Sequence, residues 1–300
     1  MSAAHEGTII YGNTSPAYLA SHLFPGATRI RANIGEDAGE LLERLPFMPE
    51  RFLFNVALTD LRNVPLRRGE LVARLRERGA WVINEGVTDV SKRAVQDHCE
   101  RIGLPTTRAT REGSPDELVV VKTDWNCAGS GENLLDHEQR ARIGLSDTPT
   151  AAWTPDYPVI PRREVAEEVW ASADFFVERY VANAGDVCYR TYRFGDRLVV
   201  SRAVDAEPLK RMPEGIPRED FFFSLTGGDP VLVEADGDDT PLELAREVAH
   251  FCRTLRLDYG ALDVVLDDEG RHYIVDVNNT PVWGDTGHLD IVEFLAAGSR

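Results

Sequence analysis

The segment Tyr259 to Pro281, YGALDVVLDDEGRHYIVDVNNTP, constrains the fold of this chain more than any other. Apolar residues alternate on both sides of a tight turn at Asp267-Asp268-Glu269-Gly270, a pattern that predicts two adjacent strands. Leu262, Val264 and Leu266 face one way, and Ile274, Val275 and Val277 flank the acid of the second strand. A hairpin brings its distant ends together, so Asp263 comes close to Asp276 and Asn278. Two carboxylates and an amide oxygen then converge, and hard oxygen ligands of this kind suit Mg2+ held with a nucleotide's phosphates. Taken alone, a surface hairpin with solvated acids explains the pattern as well.

The 300 residues suit two domains or three small ones, and a hydrophobic share of 43% is enough for real cores. A net charge of -17 argues against a nucleic-acid partner, because phosphate backbones attract basic faces. An anionic nucleotide would need locally placed Lys, Arg or metal. Cys99, Cys127, Cys188 and Cys252 form no CxxC pair and read as reduced thiols of a cytoplasmic protein. The start MSAAHEGTIIYG has no secretion-signal pattern, and no window reaches the length of a membrane span.

Strand and helix signals alternate in the first third: strands at 8–11, 51–57 and 80–83, helices at 15–23, 36–45 and 65–79. This βαβ alternation predicts an open α/β sheet. No GxGxxG follows the first strand, so no dinucleotide site is indicated. A new unit begins near Gly86, with a helix at 88–103, a strand at 118–122, a Gly-rich loop at 123–136, a helix at 162–171 and a strand at 175–181. A hairpin follows across Gly195-Asp196, with strands at 187–194 and 197–203. Residues 205–240, rich in Pro, Gly and Asp, read as a long irregular loop, and 241–256 as an amphipathic helix.

Lys122 ends an apolar strand and runs into TDWNCAGSGEN, where a lysine beside glycines is well placed to touch phosphate. GxxxxGK[ST] is absent, which disfavours the P-loop enzymes. Glu178 and Arg179 close the strand FFVERYV before Gly185-Asp186, and Arg190 and Arg202 lie on the next hairpin, where a cation can stabilise a transferred phosphoryl group. Each of these alone is more often an ordinary strand end or surface arginine. Cys127 lacks a nearby base except His137, and the histidines show no zinc spacing.

The order of the parts is more specific: VSKRAV, VVVK, a Gly loop, FVERYV, an Arg-bearing hairpin and D…DVNNTP. Over roughly residues 80–285 it resembles the ATP-grasp superfamily, such as D-alanine–D-alanine ligase, glutathione synthetase and ribosomal-protein glutamate ligases. The resemblance implies an α/β (α+β) protein with a small Rossmann-like domain at 1–86, a central lobe with a Gly-rich lid at 87–177, and a C-terminal lobe with the metal hairpin at 178–300. It implies that Lys92 and Lys122 contact ATP phosphates, and that Glu178 and the backbone of Arg179, Tyr180 and Val181 hold the adenine. Asp186 would hold the ribose, and Asp263, Asp276 and Asn278 one or two Mg2+. Residues 126–131 would form a mobile lid. Arg202, and after it Arg190, would stabilise the phosphoryl group, and Asn279, Thr280 and Gly284 would line the acceptor pocket. The implied activity is ATP-dependent ligation of a carboxylate to an amine through an acylphosphate, with release of ADP and phosphate. The substrate would be a small molecule, a peptide or a natural product, with ring closure within one molecule included. A kinase on the same scaffold and a nucleotide-binding regulatory protein without turnover are the alternatives. A homodimer is compatible with the resemblance; nucleic-acid and membrane partners are not expected.

Three departures stand out, the first being that the loop after Lys122 holds Trp125, Asn126 and Cys127 where a plain Gly lid is expected. Asp276 occupies a position where the family usually has Glu, and Ala261 one where many amino-acid ligases carry a substrate-gripping Arg.

Overall fold

The computed structural model of the protein describes residues 7–145, 157–209, 217–237, 239–283 and 288–299. The first unit runs β1 (Thr8–Gly12), α1 (Leu19–Leu23), β2 (Thr28–Arg31), α2 (Ala38–Arg44), β3 (Arg51–Asn55), α3 (Arg68–Glu77) and β4 (Trp81–Ile83). Its four strands are parallel, in the order β2-β1-β3-β4. All five residues of β1 are buried, as expected of a strand covered on both faces. Helix α2 starts at a capping box in which the Asp37 carboxylate accepts from backbone N–H groups of Gly39 and Glu40 and Glu40 answers to the Asp37 N–H.

Helix α4 (Lys92–Arg101) follows, capped by Ser91, whose hydroxyl accepts from the Ala94 N–H. The middle of the chain comprises β5 (Leu118–Thr123), α5 (Ser130–Asn133), α6 (His137–Ile143), β6 (Val159–Pro161), α7 (Glu167–Ala171) and β7 (Phe175–Arg179). These strands form a small antiparallel sheet in the order β6-β5-β7. The helix expected over 162–171 is reduced to a tight turn at Arg162–Glu164 and α7.

The last part comprises β8 (Val187–Phe194), β9 (Arg197–Val204), β10 (Arg218–Thr226), β11 (Asp229–Ala235), α8 (Leu242–Leu255), β12 (Tyr259–Leu266), β13 (His272–Asn278) and α9 (Leu289–Ala296). Its six strands are antiparallel, in the order β11-β10-β9-β8-β12-β13. The irregular loop expected over 205–240 is corrected here: 218–235 is a hairpin turning at Gly227-Gly228, with Phe221 and Phe223 in the core. Neither β2 nor α9 was anticipated from the sequence. Helices α4 and α8 pack on one face of this sheet through Val95, Cys99, Leu244, Val248 and Phe251 against Leu262, Val264, Ile274 and Val277. Among the described residues no helix is long and apolar enough to cross a membrane.

Candidate active site

On the sheet face opposite α8, directly paired residues form one polar row across five strands. Asp220 of β10 pairs with Ser201 of β9, Ser201 with Arg190 of β8, Arg190 with Asp263 of β12, and Asp263 with Asp276 of β13. Because strand side chains alternate, these five share a face while their neighbours Leu262, Val264 and Val277 enter the core. A bulge between Asp263 and Val264 leaves Val275 without a partner on β12. The extra residue lets both Val275 and Asp276 line the open side.

A cavity of about 340 Å³ lies over one end of this row. Its lining includes Lys92, Lys122, Glu178, Arg179, Tyr180, Val181, Arg190, Asp263, Asp276 and Asn278, so ten side chains singled out in the sequence meet in one place. Lys92 opens α4, which is fixed to β13 where Gln96 Nε2 donates to the Ile274 carbonyl. From there its buried ammonium reaches Asp276 Oδ1 at 2.5 Å. Lys122 shares one side of β5 with Val120, and its Nζ lies 2.5 Å from Glu178 Oε2 on β7. Arg190 Nη1 lies 3.6 Å from Asp263 Oδ1.

Val120, Val265, Val275, Leu209 and Tyr157 supply an apolar lining that the sequence reading missed. Period-2 alternation through Lys122 and Asp263 carried the signal for Val120 and Val265.

The electrostatics follow from this packing. Burial opposes the Lys92 charge, but Asp276 outweighs it and holds the ammonium above the ordinary lysine value. Burial likewise opposes the Asp276 charge, and Lys92 and Lys122 pull its carboxyl below the usual range. Asp263 goes the other way, raised by burial and by Asp276 despite Arg190. Two adjacent carboxylates shifted in opposite directions is the expected result of one cation closer to one of them.

The remaining expected residues lie elsewhere. Ser201 faces the cleft, so Arg202 faces away from it, beside Phe221, with Nε 2.7 Å from Glu219 Oε2 and Nη1 3.2 Å from Asp239 Oδ2. The fold therefore does not bring Arg202, ranked first for the phosphoryl group, to the cleft. Asp186 sits in the turn before β8 with a φ of 51°, outside the cavity lining. Asn279 and Thr280 are buried and also outside that lining; Asn279 Nδ2 donates to the Val56 carbonyl, and the Thr280 N–H donates to Asn278 Oδ1. Gly284 lies outside the described residues.

The segment 126–131, expected as a mobile lid, is a tight turn with Cys127 and Ala128 in the left-handed region, running into α5 and docked on the first unit. The Asn126 N–H donates to Thr59 Oγ1, the Thr59 N–H to Glu132 Oε1 at 2.5 Å, and Gly131 presses its Cα onto the Ala57 carbonyl.

This donor set suits a nucleotide with a hard divalent cation. Two carboxylates and the Asn278 amide are oxygen ligands, and Lys92, Lys122 and Arg190 are cations for phosphate. Glu178 Oε1 is buried and has no partner among the described residues, leaving an acceptor for an exocyclic amino group.

No protein-family model matches the chain, and no curated protein matches it significantly. Solved structures do. ATP-grasp ligase PsnB complexed with minimal precursor, Mg and ADP aligns at a TM-score of 0.51 and 11% identity, over 97% of each chain. Macrocyclase MdnC bound with precursor peptide MdnA, from Microcystis aeruginosa MRC, gives 0.45 at 11% identity, over 96% of this chain and 98% of that one. D-alanine–D-alanine ligase from Bacillus anthracis complexed with ATP gives 0.45 at 13% identity, over 95% and 90%. At such identities the likeness is one of fold, and the PsnB alignment carries it. The chain has the ATP-grasp fold.

Proposed function

We propose that this protein is an ATP-dependent carboxylate–amine ligase that forms an amide bond and releases ADP and phosphate. The observation behind this reading is the convergence of Lys92, Lys122 and Arg190 with Asp263, Asp276 and Asn278 around one cleft on the ATP-grasp fold. Val120, Val265, Val275 and Leu209 would sandwich the adenine ring, and Glu178 Oε1 would accept from its amino group. The Arg179 N–H donates to the Thr107 carbonyl and the Tyr180 N–H to the Leu118 carbonyl, so the Val181 N–H is the backbone donor for the adenine edge. Asp263, Asp276 and Asn278 would hold Mg2+, which when bound supplies charge neutralisation and Lewis-acid polarisation of the phosphates.

Lys92 and Lys122 would exchange their carboxylate partners for phosphate oxygens. Arg190 takes the role first expected of Arg202: it stabilises charge on the transferred phosphoryl group as a substrate carboxylate oxygen attacks phosphorus and ADP leaves. The amine then attacks the acyl carbon, phosphate departs, and the amine proton passes to phosphate or solvent. The three sheets would centre three domains with boundaries near residues 86 and 177. Four free cysteines fit a reducing, cytoplasmic setting.

The test is ADP and phosphate release with Mg-ATP against a panel of paired carboxylates and amines, peptides included, for wild type, Asp263→Ala and Asp276→Ala. Release that needs both substrates and vanishes in both variants is the expected result. ADP without free phosphate would mark a kinase instead, and absence of ATP binding would sink the reading.

A further inference from the structure

The polar row continues beyond the cavity, and its far end holds an arginine that the ligase reading does not use. Arg218 lies on β10 two residues before Asp220, and so on the same face as Ser201, Arg190 and Asp263. Its side chain is mostly buried, at 16% exposure, and its Nε lies 3.3 Å from Asp220 Oδ2. Asp220 is itself fixed by the Ser201 hydroxyl. Arg218 Nη2 is buried and donates to nothing among the described residues. A buried guanidinium N–H without an acceptor is costly, and the fork is already aimed by Asp220.

The floor beside Arg218 is made of small side chains, since Arg218 pairs with Ala203 and Ala203 with Cys188. Tyr192 lies on the same face one register step beyond Arg190, which sits 5.8 Å from the centre of its ring. Two strand spacings separate Arg190 from β10, roughly 10 Å. A divalent cation on Asp263 would release Arg190 from its partner, leaving two guanidinium groups on one face. Asp290 and His288 also approach Asp220, but both are exposed, and solvent screens the Asp290 charge.

Resting on the ligase reading, we propose that Arg218 is a second carboxylate-binding subsite. It anchors a substrate with two carboxylates, one reacting beside Arg190 and the other roughly 10 Å away along the sheet. Arg218 is a specificity residue here, since it touches substrate far from the reacting atoms.

The test uses labelled, end-blocked peptides carrying two glutamates joined by a glycine spacer of increasing length, with counterparts in which the far glutamate is glutamine. Binding is followed by fluorescence anisotropy with Mg-ADP present, for wild type, Arg218→Met and Arg218→Lys, and ADP affinity is measured in parallel. Wild type should prefer one spacer length and lose about 10-fold or more in affinity when the far carboxylate becomes an amide. Both variants should bind the acidic and amidated peptides alike, with ADP affinity unchanged. ADP binding without discrimination by wild type overturns the subsite and leaves the ligase reading standing. Discrimination that persists in both variants also overturns it. Failure to bind ADP overturns the ligase reading, and the subsite with it.

Discussion

Asp276→Asn is the substitution that most directly probes the cleft. Three cations of the cleft are held by acids: Lys92 by Asp276 at 2.5 Å, Lys122 by Glu178 at 2.5 Å, and Arg190 by Asp263 at 3.6 Å. A phosphate that engages Lys92 must take it from Asp276, and a metal ion that engages Asp276 must take it from Lys92. Each ligand therefore releases the group the other needs, which is a coupling free energy between nucleotide and metal. Charge-assisted hydrogen bonds contribute about 1.5–3 kcal/mol, and Asp276 is 32% exposed, so the lower end applies, near 1.5 kcal/mol or about 10-fold.

Asparagine keeps an oxygen near Lys92 but removes the charge. Metal-free ATP should then bind about 10-fold more tightly than to wild type, and the gain from adding Mg2+ should largely disappear. Calorimetric titration with ATP, in EDTA and in Mg2+, measures both. The variant also leaves a buried ammonium without a counter-charge and should lose about 2 kcal/mol of stability near neutral pH, read from urea unfolding. The sign follows from the raised lysine: its contribution is complete below the ordinary lysine value and fades as pH rises through the higher folded value. Weaker metal-free binding in the variant, or an undiminished Mg2+ effect, would refute the reasoning.

Arg190→Met should abolish substrate-dependent ADP release, by about 100-fold or more, whereas Arg202→Met should leave it intact and alter stability by less than about 1 kcal/mol; initial rates and urea midpoints separate the two. Glu178→Gln gives the adenine end a donor beside its acceptor and should narrow the preference for ATP over GTP by about 10-fold, measured by competition against a labelled nucleotide. Burial raises the Asp263 carboxyl above its ordinary value of about 3.9, so its contribution to stability falls as pH rises from there through the folded value. The stability difference between wild type and Asp263→Asn should therefore shift against wild type as pH rises through that window, which urea unfolding across acidic pH would show. Gly131→Ala drives a methyl into the Ala57 carbonyl and should cost about 1–3 kcal/mol, with the damage located in the first unit by hydrogen exchange.

What the sequence revealed, and what it hid, depends on the range of the interaction. The β12–β13 hairpin was legible because alternation and a four-residue turn are local signals, but its bulge was not, since Val275 is surplus only relative to a partner strand. The β10–β11 hairpin was passed over for its Pro and Asp content, although Phe221 to Phe223 and the Gly227-Gly228 turn mark it. The pairing of Lys92 with Asp276 spans 184 residues, and no local pattern predicts which helix start meets which strand. The opposition of Arg190 and Arg202 is different, because it could have been read without coordinates. The tight turn at Gly195-Asp196 sets Phe194 opposite Arg197, and counting back through the register sets Arg190 opposite Ser201 and Tyr189 opposite Arg202. Paired residues share a face and neighbours do not, so the two arginines must lie on opposite sides of the sheet. Asp263 pairs with Arg190, which puts Arg190 on the side of the carboxylates and Arg202 behind them. A two-residue turn thus sets the two arginines on opposite faces, and one long-range pairing then decides which of them stands beside the carboxylates.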